Sequence, residues 1–214
     1  GLEGGQLLGP ILRDFKGRAA VVSSFGAESA VLLHMVAQVD PSTPIIFLDT
    51  GKHFWETLSY RSMLIDRLGL KGVRSIAPDP DDLAASDPDG TLQKSNADLC
   101  CHIRKTLPLQ KALAGFNVTI SGRKRYHGAA RATLDFLSIA DDRLKVEPLA
   151  GFSALDLSAY MKVHDLPPHP AILLRLRLTQ QQPHPVSRPA RYTLLNLCSP
   201  LSKIDAHPHL SCRH

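Results

Sequence analysis

At 214 residues the chain can bury one sizeable core, and one domain with an appendage is the expected organisation. Four cysteines in a chain of this length do not make a secreted disulfide framework, and no transmembrane run or secretory signal appears, which points to the reducing cytoplasm and away from a membrane. The net charge of +5 does not imply nucleic acid, because residues 171–214 hold six Lys or Arg against the single acid Asp205 and leave the preceding body formally neutral.

Residues 18–22 are a short apolar run that predicts a first strand. It ends at Ser23-Ser24-Phe25-Gly26-Ala27-Glu28-Ser29, after which 30–39 reads as a buried helix. A Ser/Gly turn at a helix N-terminus offers backbone N–H groups and hydroxyls to an anion. Lacking the Gly-Lys-Ser/Thr ending of a Walker A loop, it suits an ordinary strand-to-helix connection equally well. Beyond the Pro41-Ser42-Thr43-Pro44 turn, Ile45-Ile46-Phe47-Leu48 predicts a parallel strand buried on both faces. Asp49, Thr50 and Gly51 follow its carboxyl end, where open α/β sheets bind ligands; the alternative is that Asp49 and Thr50 cap a helix over 54–68. A third strand is predicted over 73–76, and the Pro/Asp-rich 78–90, without apolar periodicity, reads as a surface loop.

Over 96–113 the pattern predicts a helix capped by Asn96 and kinked or broken at Pro108, with Cys100 and Cys101 near its start. Neighbouring cysteines do not ordinarily bridge each other. They are either buried small hydrophobes or thiolates that coordinate a soft metal or an iron–sulfur cluster. Arg104 and Lys105, one turn on, lower a thiol pKa and favour the second use. A strand over 118–120 leads into Ser121-Gly122-Arg123-Lys124-Arg125-Tyr126-His127-Gly128-Ala129-Ala130-Arg131, the densest cationic stretch of the body. Arginine forks suit phosphate or sulfate oxygens; a solvated basic loop is the alternative. A last strand is predicted over 144–146, and Ser153 caps a helix over 154–164 that stops at Pro167-Pro168-His169-Pro170.

Alternating strands and helices predict an α/β fold with a doubly wound, mostly parallel sheet over residues 1–170. The stretches 23–29, 48–51 and 121–131 each follow a strand and would converge on one crevice at the carboxyl edge.

Five ordered motifs resemble the assimilatory adenylylsulfate and phosphoadenylylsulfate reductases, a branch of the adenine-nucleotide α-hydrolase-like fold (PP-loop, Rossmann-like). They are Ser24-Phe25-Gly26-Ala27-Glu28-Ser29, Leu48-Asp49-Thr50-Gly51, Cys100-Cys101 with Arg104-Lys105, Ser121-Gly122-Arg123-Lys124-Arg125 with Arg131, and Glu147-Pro148-Leu149. The resemblance covers 17–170. Its cysteine pair is that of the adenylylsulfate-using branch, which carries a 4Fe-4S cluster, so it implies Cys100 and Cys101 as metal ligands and Lys105 as a catalytic residue between cluster and substrate. Ser23, Ser24, Phe25, Gly26, Ser29, Asp49, Thr50 and Gly51 would hold the adenylate, and Arg123, Lys124 and Arg131 would clamp phosphate and sulfate oxygens. The implied reaction is reduction of adenylylsulfate to sulfite and AMP. A mobile C-terminal cysteine attacks the sulfate sulfur, AMP leaves, and thioredoxin or glutaredoxin resolves the S-sulfocysteine. A homo-oligomer is compatible with this reading.

The match stops after Pro170. The family continues into a Cys-x-x-Cys and then a segment bearing the attacking cysteine, whereas 171–214 has no Gly and neither Cys198 nor Cys212 has a partner at that spacing. Cys212 is the remaining candidate nucleophile. We expect 171–214 to be a divergent basic tail, read out of frame and poorly ordered, and the chain as written to bind adenylylsulfate or AMP with an incomplete cluster ligand set and little turnover. The alternatives are a phosphoadenylylsulfate reductase, an adenylyl-transferring PP-loop enzyme, or a non-catalytic adenine-nucleotide-binding protein.

Overall fold

In the computed structural model, which describes residues 4–128 and 131–172, the first two apolar runs become strands buried along their whole length, β1 (Ala19–Val22) and β2 (Ile45–Leu48). With β3 (Val73–Ile76), β4 (Val118–Ile120), β5 (Leu137–Ala140) and β6 (Arg143–Val146) they form one sheet in the order β3-β2-β1-β4-β6-β5. Every pairing is parallel except β5 with β6. The chain runs outward from β1 through β2 to β3 and then crosses back to place β4 on the other side of β1. That reversal of strand order lies between β1 and β4.

Side-chain alternation along the strands divides the core in two. Ala19 and Val21 face one apolar layer with Ile45, Phe47 and Val118. Covering that layer are α1 (Leu8–Asp14), α2 (Ser29–Val39), α3 (Trp55–Leu68) and α8 (Ala154–Val163), which contribute Leu8, Leu33, Leu64 and Leu157. Ala20, Val22, Ile46 and Leu48 face the opposite layer, closed by Leu109 and Leu113 of α7 (Leu107–Leu113). Helices on both faces explain why β1 and β2 are apolar without interruption. Gly72 sets the approach of β3: its carbonyl accepts from Ile45 N at 2.9 Å, and a Cβ there would lie 2.2 Å from the Thr43 carbonyl oxygen.

Several expectations need correction. The 78–90 stretch contains α4 (Pro80–Ser86), started by Asp79, whose side chain accepts from Asp81 N, with Pro80 in the first turn. No residue of α4 is buried, so it has no apolar period to read. After α5 (Leu92–Ser95), the predicted helix over 96–113 is three pieces: α6 (Ala97–Cys101), a π-helical turn over His102–Thr106, and α7. Pro108 lacks the N–H that would reach the carbonyl four residues back at Arg104, and the wider turn ends at its doorstep. Asn96 caps α6 as expected, accepting from Leu99 N at 3.0 Å. Neither Asp49 nor Thr50 caps α3, whose N-cap is Phe54. The β5–β6 hairpin adds a strand that the sequence pattern does not mark, because β5 is exposed throughout; its turn uses Asp141 and Asp142, both at positive φ as a two-residue hairpin loop requires. Ser153 and Asp156 form a reciprocal capping box on α8. No helix among the described residues is long and apolar enough to cross a membrane. The expected tail beyond residue 172 lies outside the described residues.

Candidate active site

Three loops leave the carboxyl edge of the sheet where the sequence placed them. In the first, Phe25 has φ 50° and is completely buried, its ring edge-on to Phe47 at 5.6 Å. A bulky residue at positive φ is costly and persists only where packing over-determines it. Here the ring is locked in the core, and the loop is further fixed by Phe25 N donating to Ser23 Oγ and Ser29 N to the Gly26 carbonyl. Ser23 is buried, while Ser24, Gly26 and Ser29 are half-buried at the edge.

The second loop closes on itself. Asp49 Oδ1 accepts from Gly51 N at 3.2 Å and Thr50 Oγ1 from Lys52 N at 3.3 Å, with Gly51 at φ 67° supplying the turn. Lys52 Nζ then donates to the Gly90 carbonyl at 2.7 Å, joining this loop to the segment before α5.

The cysteine-bearing helix meets that loop through Arg104. Its guanidinium, 7% exposed, donates from Nη1 to the Thr50 carbonyl at 2.8 Å and from Nη2 to Asp87 Oδ2 at 2.5 Å. Cys100 is buried on the same helical face and Cys101 is half-buried. Both stand near the start of the helical run that Asn96 caps, as expected, but burial pushes the Cys100 thiol up, with the Arg104 charge offsetting only part of the effect. The expectation that neighbouring cations favour a thiolate at Cys100 is therefore corrected: the Arg104 charge does pull the thiol down, but desolvation outweighs it, with Cys101 and Asp87 adding to the upward push. Lys105 is half-buried and makes no hydrogen bond or ion pair among the described residues.

In the third loop the cations already face carboxylates. Arg123 donates from Nε and Nη2 to Glu147 Oε1 at 2.8 and 2.7 Å, and Ser121 Oγ donates to Glu147 Oε2 at 2.6 Å. Glu147, 2% exposed, is thereby satisfied. Lys124 Nζ lies 2.5 Å from Glu28 Oε2, His127 Nε2 is 3.2 Å from the same oxygen, and the Tyr126 hydroxyl donates to Oε1. Burial pushes the Glu28 carboxyl up, but the hydrogen bonds from Lys124 and Tyr126 and the surrounding charge outweigh it and hold its pKa below the usual carboxylate range. His127 is shifted down by burial, against the pull of Glu28 and with the help of the Lys124 and Arg131 charges. Arg131 is half-buried beside this group.

The pattern of motifs along the chain is matched by a family model described as the phosphoadenosine phosphosulfate reductase domain, over residues 18–173. The chain belongs to that family. Among its relatives is an adenosine 5'-phosphosulfate reductase of Mesorhizobium japonicum, 45% identical over 158 residues that cover 74% of this chain and 62% of the relative. One of Bacillus mycoides is 35% identical over 162 residues, covering 73% of this chain and 68% of the relative. The chain thus spans less than two thirds of the length of the first of these. A phosphoadenylyl-sulfate reductase of Candida auris, in a phosphate complex, superposes with a TM-score of 0.69 at 22% identity, covering 81% of this chain and 85% of that one, and shares the fold.

Reductase-family motifs foretell the loops better than the contacts within them. Glu28, Asp87 and Glu147 carry the electrostatics, yet the sequence pattern assigns none of them a role. Glu28 is the lone charge within its motif, which is a usable signal; Asp87 is one of several aspartates in its segment and has none. Among the described residues no group of three or more His, Cys, Asp or Glu side chains could hold a metal ion. Cys100 and Cys101 amount to half of the four thiolates a 4Fe-4S cluster takes, and Cys198 and Cys212 lie outside the described residues.

Proposed function

We propose that the protein is an adenylylsulfate reductase of sulfate assimilation, converting adenylylsulfate to sulfite and AMP. The observation that carries this reading is the Arg104–Thr50 hydrogen bond, which fastens a segment bearing two cysteines to a loop at the nucleotide edge of the sheet. Adenylyl transfer alone has no use for thiols there. Ser23, Ser24, Phe25, Gly26, Ser29, Asp49, Thr50 and Gly51 form the adenylate-holding edge of the proposal, and Arg123, Lys124 and Arg131 its anion-binding side. Lys105, with no internal partner among the described residues, is the cation left to meet the substrate from the cysteine helix.

In the proposed reaction a thiolate, with Cys212 as its candidate, attacks the sulfate sulfur. The sulfur–oxygen bond to the phosphate breaks, and AMP leaves as an anion that the cations stabilise. A dithiol of thioredoxin or glutaredoxin then supplies two electrons, releasing sulfite and becoming a disulfide. Cys100 and Cys101 would give two thiolate ligands to a 4Fe-4S cluster, which would supply a charged centre to the site. A cytoplasmic setting belongs to the same proposal.

Calorimetric titration with adenylylsulfate, its 3'-phosphorylated form, AMP and ATP tests the assignment. Adenylylsulfate and AMP are expected to bind, and preferential binding of ATP would favour the adenylyl-transfer class. Tighter binding of the 3'-phosphorylated compound would move the chain to the other reductase branch.

A further inference from the structure

Glu28 is an anion lodged among the donors of an anion site. Its carboxylate joins the loop after β1 to the loop after β4, the two loops that flank the reversal of strand order. Lys124, Tyr126 and His127 all converge on it. Lys124 is only 5% exposed, whereas Glu28 keeps about a third of its side chain open to solvent.

The donors and the carboxylate are held differently. Lys124, Tyr126 and His127 belong to one short segment anchored without Glu28: Arg125 N donates to the Ala150 carbonyl at 3.1 Å, Arg125 Nε to the Leu134 carbonyl at 2.7 Å, and its guanidinium lies 5.0 Å from the centre of the Phe136 ring. Glu28 arrives from a separate loop on a flexible side chain. The donor set is therefore pre-organised, and Glu28 is its exchangeable member. A phosphoryl or sulfuryl group brings at least the same negative charge with three oxygens in place of two, matching three convergent donors.

We propose that Lys124, Tyr126 and His127 form the subsite for the substrate's phosphosulfate group, and that Glu28 fills it as a stand-in anion which the incoming group displaces. This rests on the adenine-nucleotide reading above and adds Tyr126, His127 and Glu28 to the site. Displacement makes Glu28 a competitor: it keeps the buried lysine paired when no ligand is bound and weakens affinity for the phosphorylated part of any ligand.

Titrating the full chain and its Glu28→Gln and Glu28→Asp variants calorimetrically with AMP and with adenosine tests this. Glutamine preserves shape but not charge, and aspartate withdraws the charge by one methylene. AMP is expected to bind roughly ten-fold tighter to Glu28→Gln, the scale of one charge-assisted hydrogen bond, and to gain less in Glu28→Asp, with adenosine unchanged in both. Equal or weaker AMP binding in both variants, adenosine being unchanged, would make Glu28 a fixed tie and overturn the inference. Loss of adenosine binding in both would show that the donor segment depends on Glu28, which overturns it equally. If the unchanged chain binds neither ligand, the adenine-nucleotide reading itself fails and takes this inference with it.

Discussion

Arg104 and Thr50, 54 positions apart, share a buried hydrogen bond of 2.8 Å from guanidinium to backbone carbonyl. Through it the loop at the end of β2 is positioned by the same side chain that neutralises Asp87.

Replacing Arg104 with methionine keeps the apolar stem and strips the Asp87 carboxylate of its cation in a buried setting, a change that is strongly destabilising. The thermal midpoint is expected to fall by roughly 10 °C, and AMP affinity to fall with it as the Thr50 carbonyl loses its donor. Arg104→Lys should restore part of the midpoint but little of the affinity, since one ammonium cannot span both acceptors. Thermal melts and calorimetry on the pair of variants check both statements.

Acid should unfold the protein partly through Asp87. The hydrogen bond from Arg104 and that from Leu92 N hold its carboxyl below the usual value of 3.8. A carboxyl with a depressed folded pKa contributes stability that is present above the unfolded value and is lost as pH falls through the folded one. In Asp87→Asn, stability measured by chemical denaturation at pH 7, 5 and 3 is expected to start lower and to decline less below about pH 4.

Where α2 packs against α8, His34 Nδ1 lies 2.9 Å from the Tyr160 hydroxyl, and its ring centre is 4.7 Å from that of His164. Burial, and then the neighbouring His164, push the His34 pKa down from 6.5. The folded state prefers neutral His34, so this contribution is complete above 6.5 and shrinks as pH falls toward the folded pKa. The loss of thermal midpoint between pH 7.5 and 5.5 is expected to be smaller in His34→Gln than in the unchanged chain.

Gly72→Ala forces a methyl group against the Thr43 and Ser42 carbonyl oxygens, both backbone atoms that cannot swing aside. A cost of about 3 kcal/mol is expected from overpacking, visible as a lower denaturation midpoint without a change in its denaturant dependence.

Iron and acid-labile sulfide analysis of anaerobically purified protein tests the ligand count. We expect clearly fewer than four irons per chain, abolished by the double change Cys100→Ser and Cys101→Ser. Four irons with matching sulfide would mean that Cys198 and Cys212 complete the set.

What the sequence makes legible follows from burial. Val21, Val22 and the run Ile45–Leu48 announce themselves because both faces of β1 and β2 are covered, and the loops that follow them inherit their place from the sheet. The strand Leu137–Ala140 carries no such mark, being exposed along its length. The site shows the same division. Residue types within motifs can be read, but pairings cannot, since Glu28 meets Lys124 across 96 positions and Glu147 meets Arg123 across 24. Sequence reasoning weights Lys105 over Arg104, although Arg104 stands four residues after Cys100, at the spacing that shares its helical face.

The widened turn over His102–Thr106 sets the rotational phase of the rod it interrupts. Ahead of it, Cys100 is buried beside Arg104, the side chain that holds the Thr50 carbonyl; behind it, Leu109 and Leu113 look into the second apolar layer. A regular helix of the same length would turn one of these faces away from its target. A change that let the turn relax to regular helix without removing a residue would therefore force a choice between a seated core and a seated cysteine pair, so chain length at this spot matters as much as residue identity.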